Sequence, residues 1–465
     1  MRRTLSLLAV MIGILGCDPQ TTAVTPPQPT ATTAPVATVA PTAAPADPAP
    51  VTDGDVTVAY VNGIQVLVKR NPGAELSAMH LYVKGGSRDW TDKDAGIGEL
   101  ALSVAASGGT KTLDKDAFNQ KLSDLGSEIE ASMGRDYGSF RGKTLLSAWD
   151  DTFALLADAF LHPAMPASEL EIRKSQLVGQ LRHEEEDPDA ALGVAVSKQI
   201  YKGHPFENRP VGTEASVKTI TVDLANQYLA KLRQGGRLVF VTVGDVDPAH
   251  VIEKVKAAFG DLPRGDYQDA PFPALKLDKP ALQVVERKLD TNYIEGVFAA
   301  PSWSAPDFPD AVVAMNILQY RVFEEVRTKR NLSYAPSASF AISTSLPQGV
   351  LYVTAVKPDD TIKVMFDEVK KLQNEAVADK DLTATKSVYL THYLMRNEET
   401  SGQASMLGTA LLLGGDWKLS RTLPERIRAV TPAGVQAFAK KYMGRMQFTV
   451  LGDPAKVDKT LFTSM

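Results

Sequence analysis

Only one cysteine, Cys17, occurs in the 465 residues. A disulfide framework is therefore excluded, and each domain must stand on its own core. Histidine is nearly as scarce: there are 6, and none lies between His80 and His162. No Cys/His cluster with metal-ligand spacing is present in the sequence. The formal charge of −5 lacks the basic excess of a nucleic-acid-binding chain. The apolar run Leu5–Leu15 is too short to span a bilayer comfortably. What remains is ordinary for a globular protein. With 44% hydrophobic and 23% charged residues, the chain can bury large cores spread over about two to four domains.

Arg2 and Arg3 precede the short apolar run, the pattern of an export signal. The run ends in Ile14-Leu15-Gly16-Cys17, which resembles a bacterial lipobox. Cleavage before Cys17 would leave that cysteine as the lipidated first residue. An ordinary signal peptide with an incidental cysteine is the plainer alternative; the position of the chain's sole cysteine favours lipidation. Residues 1–17 are thus expected to be a lipoprotein signal peptide. Residues 18–54 are rich in Pro, Thr and Ala and carry no charge between Asp18 and Asp47. Such a segment cannot bury a core and is expected to be a disordered tether. The expectation is an exported protein, lipid-anchored to a bacterial membrane, its body in the periplasm or at the cell surface. A lipid anchor alone does not make the body a membrane protein.

The folded body is expected from residue 55. Val56–Val61 and Ile64–Lys69 read as strands joined by Asn62-Gly63, a strong hairpin signal. Ser77–Lys84 alternates as a strand, and Asp94–Ser107 and Asp114–Leu125 read as helices. Glu128–Ser132 and Ser139–Leu146 form a strand pair. Helical patterns follow at Trp149–Phe160, Ala167–Glu186, Asp189–Tyr201 and Val222–Leu232, then a β-branched strand at Leu238–Val243 and a helix at Asp247–Phe259. A proline-rich linker at 263–281 divides this N-terminal domain, 55–262, from a C-terminal one, 282–465. In the latter, strands are expected at Leu282–Arg287, Tyr293–Ala299, Ser337–Ser343, Val350–Ala355 and Phe448–Leu451. Helices are expected at Asp307–Val326, Asp360–Ala376, Asp381–Arg396, Gln403–Leu413 and Pro432–Tyr442.

The two domains repeat one another. Residues 236–245, Gly-Arg-Leu-Val-Phe-Val-Thr-Val-Gly-Asp, align without a gap on 444–453, Gly-Arg-Met-Gln-Phe-Thr-Val-Leu-Gly-Asp, with five identities in ten. Each copy follows a helix that begins at a threonine, Thr221 or Thr431. Gly-Asp after an apolar strand is common by itself, but the matched context points to duplication. The predicted class is α+β: two homologous α/β-sandwich-like halves, each an antiparallel-rich sheet covered by helices, related by a pseudo-two-fold with a crevice between them.

Several segments, in this order, carry a family resemblance. Gly96-Ile97 opens and Gly109-Thr110 closes a buried helix; Leu125-Gly126-Ser127 precedes a strand; Leu161-His162-Pro163 and Asp187-Pro188 follow helices. His204-Pro205-Phe206, Gly212-Thr213-Glu214, Gly244-Asp245 and Val326-Arg327-Thr328-Lys329-Arg330-Asn331-Leu332-Ser333-Tyr334 complete the set. Together, over nearly the whole folded body, they resemble the insulinase/pitrilysin metallopeptidases, or inverzincins. That resemblance implies a helix carrying His-x-x-Glu-His, two histidines and a downstream glutamate holding zinc, and a glutamate base acting on zinc-bound water.

Here the frame is present without the ligands. Counting from Gly96 places Glu99, Leu102 and Ser103 at the three motif positions. Counting back from Gly109-Thr110 places Leu100, Ser103 and Val104 there. The third ligand's position matches Gln180, a poor zinc donor. His183-Glu184-Glu185-Glu186-Asp187 superficially mimics a His-Glu-x-x-His run, but Pro188 ends its helix, and an acidic run at a helix end is ordinarily a solvated face. His80, His162 and His204 read as structural. No metal is expected in this chain.

Arg327 and Tyr334 match an arginine and a tyrosine that, in the family, reach toward the zinc site and hold substrate backbone and oxyanion. A fixed cation and a phenol can both donate to an oxygen gaining charge. Ile317–Phe323 runs on without the glycine-serine stretch of relatives, which shortens the approach to Arg327. By this resemblance the chain is expected to be the substrate-gripping, non-zinc subunit of a heterodimeric metallopeptidase acting on peptides at the cell envelope, inactive alone, with zinc on the partner. A non-proteolytic peptide-binding or scaffolding lipoprotein is the alternative, and an independent metallopeptidase with an unusual site a third.

Overall fold

The structure, a computed structural model, describes residues 46–91 and 93–465. The expected signal peptide with Cys17, and the expected tether up to residue 45, lie outside the described residues. Among the described residues, twelve strands are arranged in two sheets. They are β1 Val51–Asp53, β2 Val56–Val61, β3 Ile64–Arg70, β4 Leu76–Lys84, β5 Glu128–Met133, β6 Tyr137–Leu145, β7 Leu238–Gly244, β8 Ala281–Glu286, β9 Asn292–Ala299, β10 Ser337–Ala341, β11 Gln348–Ala355 and β12 Gln447–Gly452.

The seven-stranded sheet has the order β1-β2-β3-β7-β4-β6-β5, and the five-stranded sheet β10-β11-β9-β12-β8. Reversed, the second reads β8-β12-β9-β11-β10, strand for strand the plan β3-β7-β4-β6-β5. The match extends to direction. β7 runs parallel to β3 and antiparallel to β4; β12 runs parallel to β8 and antiparallel to β9. The repeated segments supply the inserted strands, and the preceding helices are both threonine-capped: Thr221 accepts from Leu224 N and Thr431 from Gly434 N.

The first hairpin forms because Asn62 and Gly63 take φ of 48° and 86°, as a two-residue primed turn requires. This turn also corrects the tether boundary, placed at residue 54 by composition. Asp47 accepts from Gly63 N at 3.1 Å and pairs with Arg264 at 2.8 Å, and β1 pairs with β2. Order therefore begins before residue 55, because a carboxylate and a short strand find partners in the body. The interdomain segment is likewise held rather than free: His204 Nε2 lies 2.9 Å from Pro273 O, and Arg88 donates to Asp269 at 2.7 Å. Three helices escape the sequence patterns: Glu214–Thr219, Lys418–Arg428 and Lys459–Phe462. The second is strongly two-faced but contains Pro424, which reads as a break; the others are too short for a periodic signal.

One face of each sheet packs on helices of its own half. The other face is covered by a helix from the opposite half. Helix Pro188–Ile200 lays Leu192, Val196 and Ile200 against Val297 and Leu451 of the second sheet. Helix Thr400–Gly414 lays Ala404 and Leu407 against Tyr82, Val239 and Val241 of the first. Burying each such Val, Leu or Ile is worth about 1.5–3 kcal/mol, so the exchange welds the halves. Polar contacts add to it: Asp136 accepts from Arg88 at 2.8 Å and from Ser345 N at 2.9 Å, and Arg287 donates to Glu186 O at 2.9 Å.

Candidate functional site

The helix Ile97–Ser107 is framed by glycines that the backbone demands. Gly96 and Gly109 have φ of 90° and 86°, values that L side chains rarely adopt. Between them the helix is buried except along one stripe, Glu99, Ser103 and Ser107, four residues apart in each step. Leu100, Leu102 and Val104 are 1%, 0% and 0% exposed. Burial sets the two motif registers apart. Glu99 and Ser103 occupy the open face where paired ligands would stand, while Leu100 and Val104 of the other register face the core.

Each of these side chains is already engaged. Glu99 accepts from Met133 N at 2.9 Å; burial pushes its carboxyl up, and the Met133 hydrogen bond opposes this. Ser103 Oγ donates to Leu100 O of its own helix at 3.1 Å. Ser107 Oγ donates to Ser103 O at 2.9 Å and accepts from Arg173 at 2.8 Å. Gln180, exposed on helix Ala167–Glu186, donates to Glu184 at 3.2 Å. A zinc site needs three deprotonated donors converging. One carboxylate bound to a backbone amide, a self-bonded hydroxyl, a core leucine and a surface amide do not fit that need. Among the described residues no group of three His, Cys, Asp or Glu could hold a metal.

The remaining candidates separate as well. His183 is exposed, and Asp187 caps the next helix by accepting from Ala190 N at 2.8 Å. His80 is 2% exposed and lies 3.0 Å from Tyr82 Oη; burial, then the charge of Arg141, pulls its imidazole down to about 3. His162 bonds Asp158 at 3.1 Å. His204 Nδ1 accepts from Phe206 N at 3.1 Å.

Arg327 and Tyr334 are brought together. The α-helix Phe308–Val322 runs directly into a π turn, Phe323–Thr328, with no intervening loop. The missing glycine-serine stretch thus leaves the helix continuous, and Arg327 rides on a wide turn of a kind frequent at functional sites. Its guanidinium sits 4.1 Å from the Tyr334 ring centre and 4.9 Å from that of Phe323. Two aromatic faces therefore hold the cation. Tyr334 and Tyr320 are 78% and 71% exposed. No hydrogen bond or ion pair among the described residues joins Arg327 or Tyr334 to Glu99, Ser103 or Gln180.

A cavity of about 460 Å³ opens between the halves, lined by Arg135, Glu184, Tyr201, Arg209, Glu295 and Gln348 among others. A crevice is expected from the sequence, but none of these residues is assigned to it there. The available signal was Glu295, the one charged residue in the otherwise uncharged strand Asn292–Ala299.

Two sheets on one strand plan, with a ligand-poor helix where a metal-binding one is expected, define a metallopeptidase-like protein that lacks a metallopeptidase's donors. Sequence models agree. One described as insulinase (peptidase family M16) matches residues 65–214, and one described as peptidase M16 inactive domain matches 219–389. The chain belongs to the insulinase family, as a catalytically incomplete member. Among curated relatives, "Non-peptidase homolog YmxG" of Helicobacter pylori is 20% identical over 84% of this chain and 93% of its own length. A probable mitochondrial-processing peptidase subunit beta of Arabidopsis thaliana is 22% identical over 82% and 75%. Among solved structures, a peptidase M16 inactive domain from Pseudomonas fluorescens superposes with a TM-score of 0.77 at 19% identity, covering 85% of this chain and 97% of that one. No helix among the described residues is long and apolar enough to cross a membrane.

Proposed function

We propose that this chain is the substrate-gripping, non-zinc subunit of a two-chain metallopeptidase acting on peptides at the cell envelope, tethered there through a lipid on Cys17. The observation that carries this reading is the clamp at Arg327: a half-buried cation held between Phe323 and the exposed ring of Tyr334, without an ion pair among the described residues. A preorganised guanidinium beside a phenol is suited to donate to a carbonyl oxygen as charge develops on it. Zinc, the general base and the activated water would belong to the partner. The Arabidopsis relative, named as one subunit of a processing peptidase, is consistent with a divided site.

The test is co-purification from native membranes, followed by peptidase assays with and without the recovered partner. The chain alone is expected to be inactive. With the partner, Arg327→Ala is expected to lower kcat about 10²–10³-fold, the range for loss of one oxyanion donor, with the partner's zinc content unchanged. Wild-type kcat in R327A would refute the reading. A non-proteolytic peptide-binding role is favoured instead by the interdomain cavity, which needs no partner, and by the name of the Helicobacter relative. It predicts that no zinc subunit is recovered.

A further inference from the structure

We propose that the cavity between the halves is a binding site for the cationic group, ammonium or guanidinium, of a short peptide, with the Glu295 carboxylate as its counter-ion. The site lies within one chain and does not depend on a zinc-bearing partner.

The first observation is a charge without a match. Glu295 lies in the middle of β9, between Tyr352 of β11 and Thr449 of β12, on the face turned toward the opposite half. It has no hydrogen-bond or ion-pair partner among the described residues. The two guanidiniums in the same walls are engaged elsewhere. Arg209 pairs with Glu184; Arg135 donates to Phe206 O at 3.0 Å and Ser197 Oγ at 2.9 Å and lies 5.1 Å from the Tyr201 ring centre. A half-buried carboxyl without a partner is costly to keep ionised, and burial pushes Glu295 up to about 7. A ligand cation would supply what the fold omits.

The second observation is that the cavity departs from the duplicated plan. Residues Val241 and Thr449 occupy the same place in the repeat, and their partners across the sheet are His80 and Glu295. The position of Glu295 in one half is therefore that of His80 in the other. There the spot is packed solid: His80 bonds Tyr82, and a Cβ on Gly408 of the covering helix would fall 2.4 Å from the Tyr82 ring. Over Glu295 it is open, and a Cβ on Gly193 of the covering helix would meet nothing within 4 Å. One of two equivalent spots is filled and the other kept empty above a lone acid.

Size and lining set the ligand class. About 460 Å³ far exceeds an inorganic ion and falls within the range of small-molecule sites. Ser343, Thr344 and Gln348 offer partners to peptide amides and carbonyls, and Ile200 and Leu346 offer apolar wall.

Calorimetric titration of the purified full chain tests this with three probes. Trialanine amide carries only an α-ammonium, N-acetyl-Ala-Lys-Ala amide only a side-chain ammonium, and N-acetyl-trialanine amide no cation. At pH 8 one or both cationic probes are expected to bind at least tenfold tighter than the neutral one, and which of them does so identifies the source of the charge. Glu295→Gln should abolish that preference. Gly193→Leu, favoured by helix propensity, should fill the cavity and block binding while the circular dichroism stays native. Equal binding of charged and neutral probes, an undiminished preference in E295Q, or no binding of any probe would each overturn the proposal.

Discussion

Glu295→Gln should change how stability depends on pH. In the folded chain, burial raises this carboxyl from 4.5 to about 7. Between those values the native state holds a proton that the unfolded chain has released. Stability must therefore fall as pH rises from about 4.5 to about 7. At 1.36 kcal/mol per tenfold change in proton affinity, the loss is about 3 kcal/mol once the pH is well above 7. Glutamine keeps the shape and removes the charge. Urea unfolding of wild type and E295Q at pH 5 and pH 8 reads the difference. Other buried acids, Glu99 and Asp136 among them, also have raised values, but they titrate in both proteins and cancel. The neighbours that face Glu295 also stay unchanged: Tyr352 with its partner Asp189, Tyr293, Arg135 and the Glu184–Arg209 pair. The variant is expected to be nearly neutral at pH 5 and more stable than wild type by about 3 kcal/mol at pH 8. Parallel pH profiles for the two proteins would refute an unpartnered acid at this position.

Three further outcomes follow from the packing. Glu99→His with Ser103→His should fold, and its melting temperature should rise with added zinc, whereas Leu100→His with Val104→His should lose several kcal/mol by burying imidazoles among apolar side chains; the opposite ranking would show that the motif register is misassigned. Asp136→Ala removes the acceptor of Arg88 and Ser345 while Arg88 keeps Asp269, so a loss of about 3 kcal/mol is expected by chemical denaturation, the low end for a broken buried pair. Gly408→Leu drives a side chain into Tyr82 and should cost about 1–3 kcal/mol as overpacking, while Gly193→Leu on the equivalent helix should not destabilise.

Much of the fold is legible because the sequence speaks in local terms. Asn62-Gly63 dictates its own turn, and Asp114, Thr221 and Thr431 announce helix starts by the donors they cap. The repeat at 236–245 and 444–453 carries the duplication in its residues alone. What escaped was long-range. Composition cannot show that Asp47 finds Asn62 and Arg264, nor that each half lends a helix to the other's sheet. The candidate helix was legible as a frame, but its register was not, because only burial separates Glu99 and Ser103 from Leu100 and Val104. The cavity was invisible for the same reason: its walls come from residues 135–211 and 295–348, which only the exchanged packing brings face to face.

The central claim is chemical: the side chains at the metal position of this fold cannot hold zinc. Elemental analysis of the purified chain, after incubation with zinc and desalting, measures it directly. No zinc beyond trace is expected. One equivalent of zinc per chain, with anomalous scattering beside Glu99 and Ser103, would contradict it.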